Sequence, residues 1–242
     1  MLALVLVAGA LTSCTDGSVT PARGIPAFET VPHGEPSFFV TSRGLDGGDL
    51  GGLEGADAHC RALASEAGLG ARDWRAYLST QALPGAPAIN ARDRIGEGPW
   101  FNVENIRIAI NQAHLHGDTL DLAREGNLVS QGSALTEAGE RTGGKGDPVL
   151  RHDILTGSRV DGRAYGNEFD RTCRNWTYSG EDGSAQVGHS DRDTIGLSIS
   201  WNSAHQTIGC TSKKLQATGG DGLFYCFAAD PARYIETPER AE

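Results

Sequence analysis

Four cysteines, at positions 60, 173, 210 and 226, do most to narrow what this chain of 242 residues can become. The fifth, Cys14, ends a run of thirteen residues, LALVLVAGALTSC. That run is too short to span a bilayer, which needs about 20 apolar residues, but it suits the apolar segment of a secretory leader. A chain that has crossed a membrane enters an oxidising compartment, where an even set of cysteines pairs into disulfides. Four cysteines allow three connectivities, and spacing alone does not choose among them. No pair has C-x-x-C spacing, so neither a redox motif nor a zinc knuckle is expected.

The end of the apolar run, Leu11-Thr12-Ser13-Cys14, reads as a bacterial lipobox. It has a branched apolar residue and two small residues before the cysteine that is diacylated once the leader, residues 1–13, is removed. Met1-Leu2 carries no basic residue, a departure from the usual leader. Thr15 stands where an aspartate would retain a lipoprotein in an inner membrane, so the expected location is the bacterial cell envelope, at the outer membrane or cell surface. Residues 14–36 form a tether: four of the ten prolines lie at 21, 26, 32 and 36, with little apolar periodicity. The globular part is expected over 37–230, and 231–242 reads as a charged tail. A net charge of −10 argues against nucleic acid, heparin-like polymers and anionic lipid surfaces as partners. The membrane is reached through the lipid instead.

Within the globular part, residues 51–80 read as one unit. Ala56, Cys60, Leu63, Ala64 and Ala67 recur at helical spacing. Gly68 and Gly70 stop the helix, because glycine takes the left-handed C′ conformation freely. Trp74, Ala76 and Leu78 then alternate with Arg75, Tyr77 and Ser79, the period of a half-buried strand. Residues 37–41, SFFVT, and 223–227, LFYCF, are the other firm strands. Glycine, at 33 residues, implies many loops and few helices. Residues 91–95 are charged and expected at the surface. Residues 105–112 alternate isoleucines like a strand or loop edge, and 113–148 read as a long polar excursion. Short strand-like pieces fall at 149–155 and 194–199.

The motif Gly-x-x-Gly-Ala-Asp-x-x-Cys at 52–60, the alanine-rich helix, and Trp-Arg-Ala-Tyr-Leu-Ser at 74–79 together resemble the first segment of endostatin, the C-terminal domain of collagens XV and XVIII. Cys173-Arg174-Asn175-Trp176 and the stretch from Cys210 to Tyr225-Cys226 resemble its later cysteine segments. A family of bacterial lipoprotein domains with GADA-x-C, NWT-S and GDGLFYCF stretches is more similar still. The resemblance spans roughly residues 37–229 and is absent over 113–148. It implies an α+β, C-type-lectin-like (endostatin-like) fold: a twisted antiparallel sheet, one or two short helices, long loops and two disulfides. It also implies the pairing Cys60–Cys226 and Cys173–Cys210.

The chemistry expected of such a fold is then checked residue by residue. Calcium-dependent sugar binding uses a Glu-Pro-Asn type loop and a Trp-Asn-Asp strand. Here Trp201-Asn202 is followed by Ser203, and no such loop occurs, so calcium is a secondary reading and no metal is expected. His114 and His116 offer two imidazoles without a third ligand, and His33 lies alone in the tether. Asp191-Arg192-Asp193, after His189, reads as a solvated loop. Residues 139–145 mimic a phosphate loop, but Gly146 stands where a hydroxyl must bind magnesium. No nucleophile elbow or H-E-x-x-H helix appears, and no cysteine is left over as a nucleophile. The expected function is a non-catalytic, lipid-anchored binding module for a glycan or protein. Its face would lie on loops 84–100, 180–193 and 200–209, with Trp100, His189, Asp191, Trp201 and Asn202 as candidates. The alternatives are an enzyme on the same fold and a purely structural envelope lipoprotein.

Overall fold

The last strand organises the sheet. In the computed structural model, which describes residues 33–192 and 200–235, β8 (Gly220–Ala228) pairs with three others. Along one edge runs β1 (Phe38–Val40), antiparallel, with Phe39 opposite Cys226. On the other edge lie, end to end, β2 (Trp74–Ala76), antiparallel, and β5 (Asp153–Leu155), parallel. The sheet continues antiparallel from β5 to β6 (Gln186–His189) and β7 (His205–Gln206). A separate pair, β3 (Trp100–Phe101) and β4 (Arg107–Ala109), stands apart. The fold is thus mixed α and β with a mainly antiparallel sheet, and the β5–β8 pairing is its parallel exception.

Residues 223–228 are uninterruptedly apolar because both faces of β8 are covered. Phe224, Cys226 and Ala228 enter one core with Phe39, Trp74 and α1 (Gly52–Glu66). Leu223, Tyr225 and Phe227 enter a second with Phe38, Tyr77, Trp100 and Trp201. Helix α1 buries Ala56, Cys60, Leu63 and Ala64, and Gly68, at φ 70°, closes it. The amides of Gly68 and Leu69 return to the carbonyls of Ser65 and Ala64. Asp57, on the same buried face, accepts from the Ala76 amide at 2.9 Å, and its oxygens meet the Arg94 guanidinium at 2.7–2.8 Å. Arg75 adds a third partner at 3.1 Å. The aspartate of the Gly-Ala-Asp motif therefore ties helix, strand β2 and the 3-10 turn Ala91–Arg94 together.

Disulfides join Cys60 to Cys226 and Cys173 to Cys210. The first staples α1 to β8 inside the first core. The second holds α4 (Cys173–Trp176), a single turn whose four residues all have positive φ, 45–66°. A left-handed turn of side-chain-bearing residues is strained. It persists because Asn175 brackets the Gln81 backbone, accepting its N–H at 2.7 Å and donating to its carbonyl at 2.9 Å, while the Trp176 indole donates to the Ser79 carbonyl at 2.8 Å.

Several expectations need correction. The described residues form more than one or two helices, although only α1 among them exceeds six residues. Helices α2 (Gln112–His116) and α3 (Leu120–Glu125) lie inside the supposed polar excursion, started by side-chain caps from Asn111 and Thr119. They are too short to show an apolar period. The Ala91–Arg94 turn is only partly at the surface: Ala91 and Arg92 are buried and Asp93 is exposed, while Arg92 reaches the Asp118 carboxylate and Arg94 reaches Asp57, so the two guanidinium charges are neutralised. The folded part also begins earlier than residue 37 and extends past 230. Gly34 bridges to Tyr234, with backbone bonds between Glu35 and Arg233 and between His33 and Ile235. The leader, Cys14, most of the tether, the 194–199 piece and residues 236–242 lie outside the described residues.

The second core contains a polar chain. The Asn202 amide donates to the Tyr77 hydroxyl at 3.0 Å, which donates to Nε2 of His116 at 2.8 Å, while His116 Nδ1 donates to the Gln112 carbonyl at 2.9 Å. Burial pushes the His116 pKa from 6.5 down to about 4. The unfolded chain takes up this proton below pH 6.5 and the fold does not until about pH 4. Stability is therefore insensitive to this group above pH 6.5, falls as pH drops through the window, and is lowered by about 3 kcal/mol at its bottom. Denaturant unfolding at a series of pH values should show that slope in the wild type and its loss in His116→Asn.

Candidate functional site

The register of three neighbouring strands assembles a cluster that no single segment announces. Asp153 stands directly opposite His189 across β5 and β6. His205 stands opposite Val187 across β6 and β7, two residues from His189 on the same face of the sheet. His152, preceding β5, stacks its ring on His189 with centroids 4.6 Å apart. Nε2 atoms of His189 and His205 both lie 3.3 Å from Oδ1 of Asp153, and that of His152 lies 3.4 Å away.

Asp153 is 1% exposed, yet none of these approaches has the geometry of a hydrogen bond: both its oxygens and His189 Nε2 are buried without a partner. A buried, unpartnered carboxylate costs several kcal/mol unless something else satisfies it. Burial, the largest influence, pushes the Asp153 pKa up, but His189 and His205 outweigh it and hold the carboxyl below its usual range. The Asp153 carboxylate in turn raises the His205 pKa.

An outer layer orients two of the imidazoles. His152 Nδ1 meets Asp191 Oδ1 at 2.8 Å, a bond that raises the histidine's pKa. Asp191 Oδ2 accepts from the Lys145 amide at 2.6 Å. Burial alone would raise the Asp191 pKa, but His152 and Lys145 lower it. His205 Nδ1 faces the Gln206 carbonyl at 3.1 Å. A carboxylate and a carbonyl only accept, so each Nδ1 carries a proton, and in the neutral ring Nε2 is the nitrogen free to bind a ligand. Glycines make room: a Cβ on Gly219 would stand 2.9 Å from His152 Nε2, and one on Gly188 would strike the Trp201 carbonyl oxygen. Two overlapping sets have donor atoms close enough together for one cation, namely Asp153, His189 and His205, and His152, His189 and Asp191.

The five ligand candidates divide between this centre and the core. His189 and Asp191 are in the cluster. Trp100 and Trp201 are buried in the second aromatic core, where Trp100 meets Phe227 edge-on at 5.4 Å and Trp201 packs on Tyr77 at 4.8 Å. Asn202 is buried in the Tyr77 network. All three are thus buried rather than at loop tips, the two tryptophans because large aromatic surface gains most in a core. His114 and His116 sit on α2 and serve separate contacts, His114 accepting from the Ile110 amide at 3.2 Å. Asp153, His152 and His205 were missed. The sequence signal was only that three of seven histidines fall between 152 and 205, two of them within two residues of an aspartate.

Compared with known proteins, the chain matches no family model and none of the curated proteins.

Proposed function

We propose that this protein is a lipid-anchored binding module of the bacterial cell envelope. Its scaffold is C-type-lectin-like (endostatin-like), and it engages its glycan or protein ligand at the histidine–aspartate centre. The observation that carries the reading is Asp153: a buried carboxylate with three imidazoles converging on it and no hydrogen bond from any of them. A polar group left unsatisfied inside a fold calls for an explanation such as a bound ion or a functional role. The lipobox ending at Cys14, the proline-rich tether and the two disulfides support the anchored, exported part of the reading. The described cysteines are all in disulfides, so none of them is a free thiol nucleophile.

Two measurements test it. Cells expressing the full chain and fed an alkyne fatty acid should label the wild type and not Cys14→Ser; equal labelling of both removes the anchor. On a glycan array, the wild-type domain should bind a defined subset that the His189→Ala/His205→Ala double variant loses. An identical pattern from both proteins places recognition elsewhere on the surface.

A further inference from the structure

We infer that the centre is a site for a divalent first-row transition metal of the zinc class, held by Asp153, His189 and His205, with His152 and Asp191 as its outer partners. This rests on the reading of the centre as the binding site and names what occupies it.

The first argument is distance. Zinc binds imidazole nitrogen at about 2.0–2.1 Å and carboxylate oxygen at about 2.0–2.2 Å. Tetrahedral angles then place any two ligand atoms about 3.3 Å apart. The observed separations from Asp153 Oδ1 are 3.3 Å to His189 and 3.3 Å to His205. Polar atoms that hydrogen-bond to one another sit closer and aim at one another. These stand at the edge length of a coordination polyhedron and aim elsewhere, which is why Asp153 and His189 Nε2 have no partner of their own.

The second argument is donor chemistry. Imidazole nitrogens with one carboxylate select zinc and its first-row neighbours, whereas calcium and magnesium require oxygen ligands. The calcium site weighed from the sequence is therefore the less suitable occupant.

The third is the outer shell. A metal-binding histidine almost always gives its other N–H to a carboxylate or carbonyl, which fixes the tautomer. His205 does so to Gln206, and the flanking His152 is held in the same way by Asp191. His152 is not in the same compact set as His205, so it flanks the three ligands instead of completing them. Three protein ligands leave a fourth position, as in zinc sites that take a ligand from solution. The side chain of His205, at 39% exposure, puts that edge of the centre within reach of solvent.

The experiment uses the purified disulfide-bonded domain, stripped with chelator and dialysed, then titrated with zinc chloride and, separately, calcium chloride by calorimetry. One zinc per chain is expected, with no saturable calcium binding. His189→Ala and His205→Ala should weaken zinc by more than about 100-fold. His205 lies on a short, half-exposed edge strand, so its variant keeps the test valid if His189→Ala fails to fold. Cobalt(II) loading should give the intense visible bands of a four-coordinate ion. Absence of stoichiometric zinc, or equal affinity in wild type and His205→Ala, overturns the site. If zinc binds as expected but the glycan pattern is unchanged in the double variant, the metal site stands and the binding reading falls. If the double variant loses glycans while the wild type takes up no zinc, the reverse holds.

Discussion

Replacing Cys60 and Cys226 together by alanine is expected to lower the unfolding free energy by about 5 kcal/mol. The bridge spans 166 residues of sequence, and the entropy removed from the unfolded chain grows with the logarithm of that span. The Cys173–Cys210 bridge, spanning 37 residues, should contribute about 4 kcal/mol on the same basis. Both losses are comparable to the 5–15 kcal/mol total stability of a typical domain. The larger one reaches further, because Cys60 and Cys226 are fully buried where α1 meets the central strand. The double variant should then show a denaturant midpoint shifted far enough to leave part of the population unfolded at 37 °C. An unchanged midpoint would mean that the first core holds α1 without its staple.

Asp57→Ala is the second large effect, at about 3–5 kcal/mol. The carboxylate is nearly inaccessible and receives the Ala76 amide and two guanidinium groups. Its removal leaves the Arg94 charge, itself mostly buried, facing an apolar core with only the Ala76 carbonyl to meet it. Asp57→Asn keeps an acceptor for the Ala76 amide and should lie between wild type and alanine. Denaturant titration of the three proteins checks the order. A loss below about 1 kcal/mol for alanine would show that Arg94 swings to solvent once released.

These three residues also mark where the sequence is legible. The apolar stripe of α1 and its glycine stop could be read because a fifteen-residue helix repeats its period several times. The central strand could be read because burial on both faces makes an unbroken apolar run. Asp57 was present in the motif, but its role was hidden: its partners, Arg75 and Arg94, are brought to it by the path of the chain after the helix. Charged residues 91–95 read as surface for the same reason. Arg92 and Arg94 are internal only because Asp118 and Asp57 meet them there. Helices α2 and α3 were hidden by brevity, since one or two turns started by an asparagine or threonine cap show no periodicity.

At the candidate site the division is sharper. His189 and Asp191 stood out as a histidine beside carboxylates. Their association with Trp201 and Asn202 came from a lectin pattern that this chain only partly carries, and the structure puts both of those side chains to work inside. His152, Asp153 and His205 could not be assembled from spacing. Their meeting depends on which residue of β5 faces which residue of β6, and a shift of one residue would turn His189 to the opposite face.

The pairing of β8 with β1, β2 and β5 has a consequence for how the molecule is made. Its strand is nearly the last part of the described chain to leave the ribosome, yet β1, formed almost two hundred residues earlier, pairs with no other strand of this sheet among the described residues. Early segments must wait, exposed, for a late one. Such long-range closure makes assembly slow and leaves FFV and WRA uncovered in the meantime. A chain of this design gains from any helper that binds extended apolar segments until residue 228 is out, and a truncation inside β8 should abolish folding as a whole instead of trimming one edge.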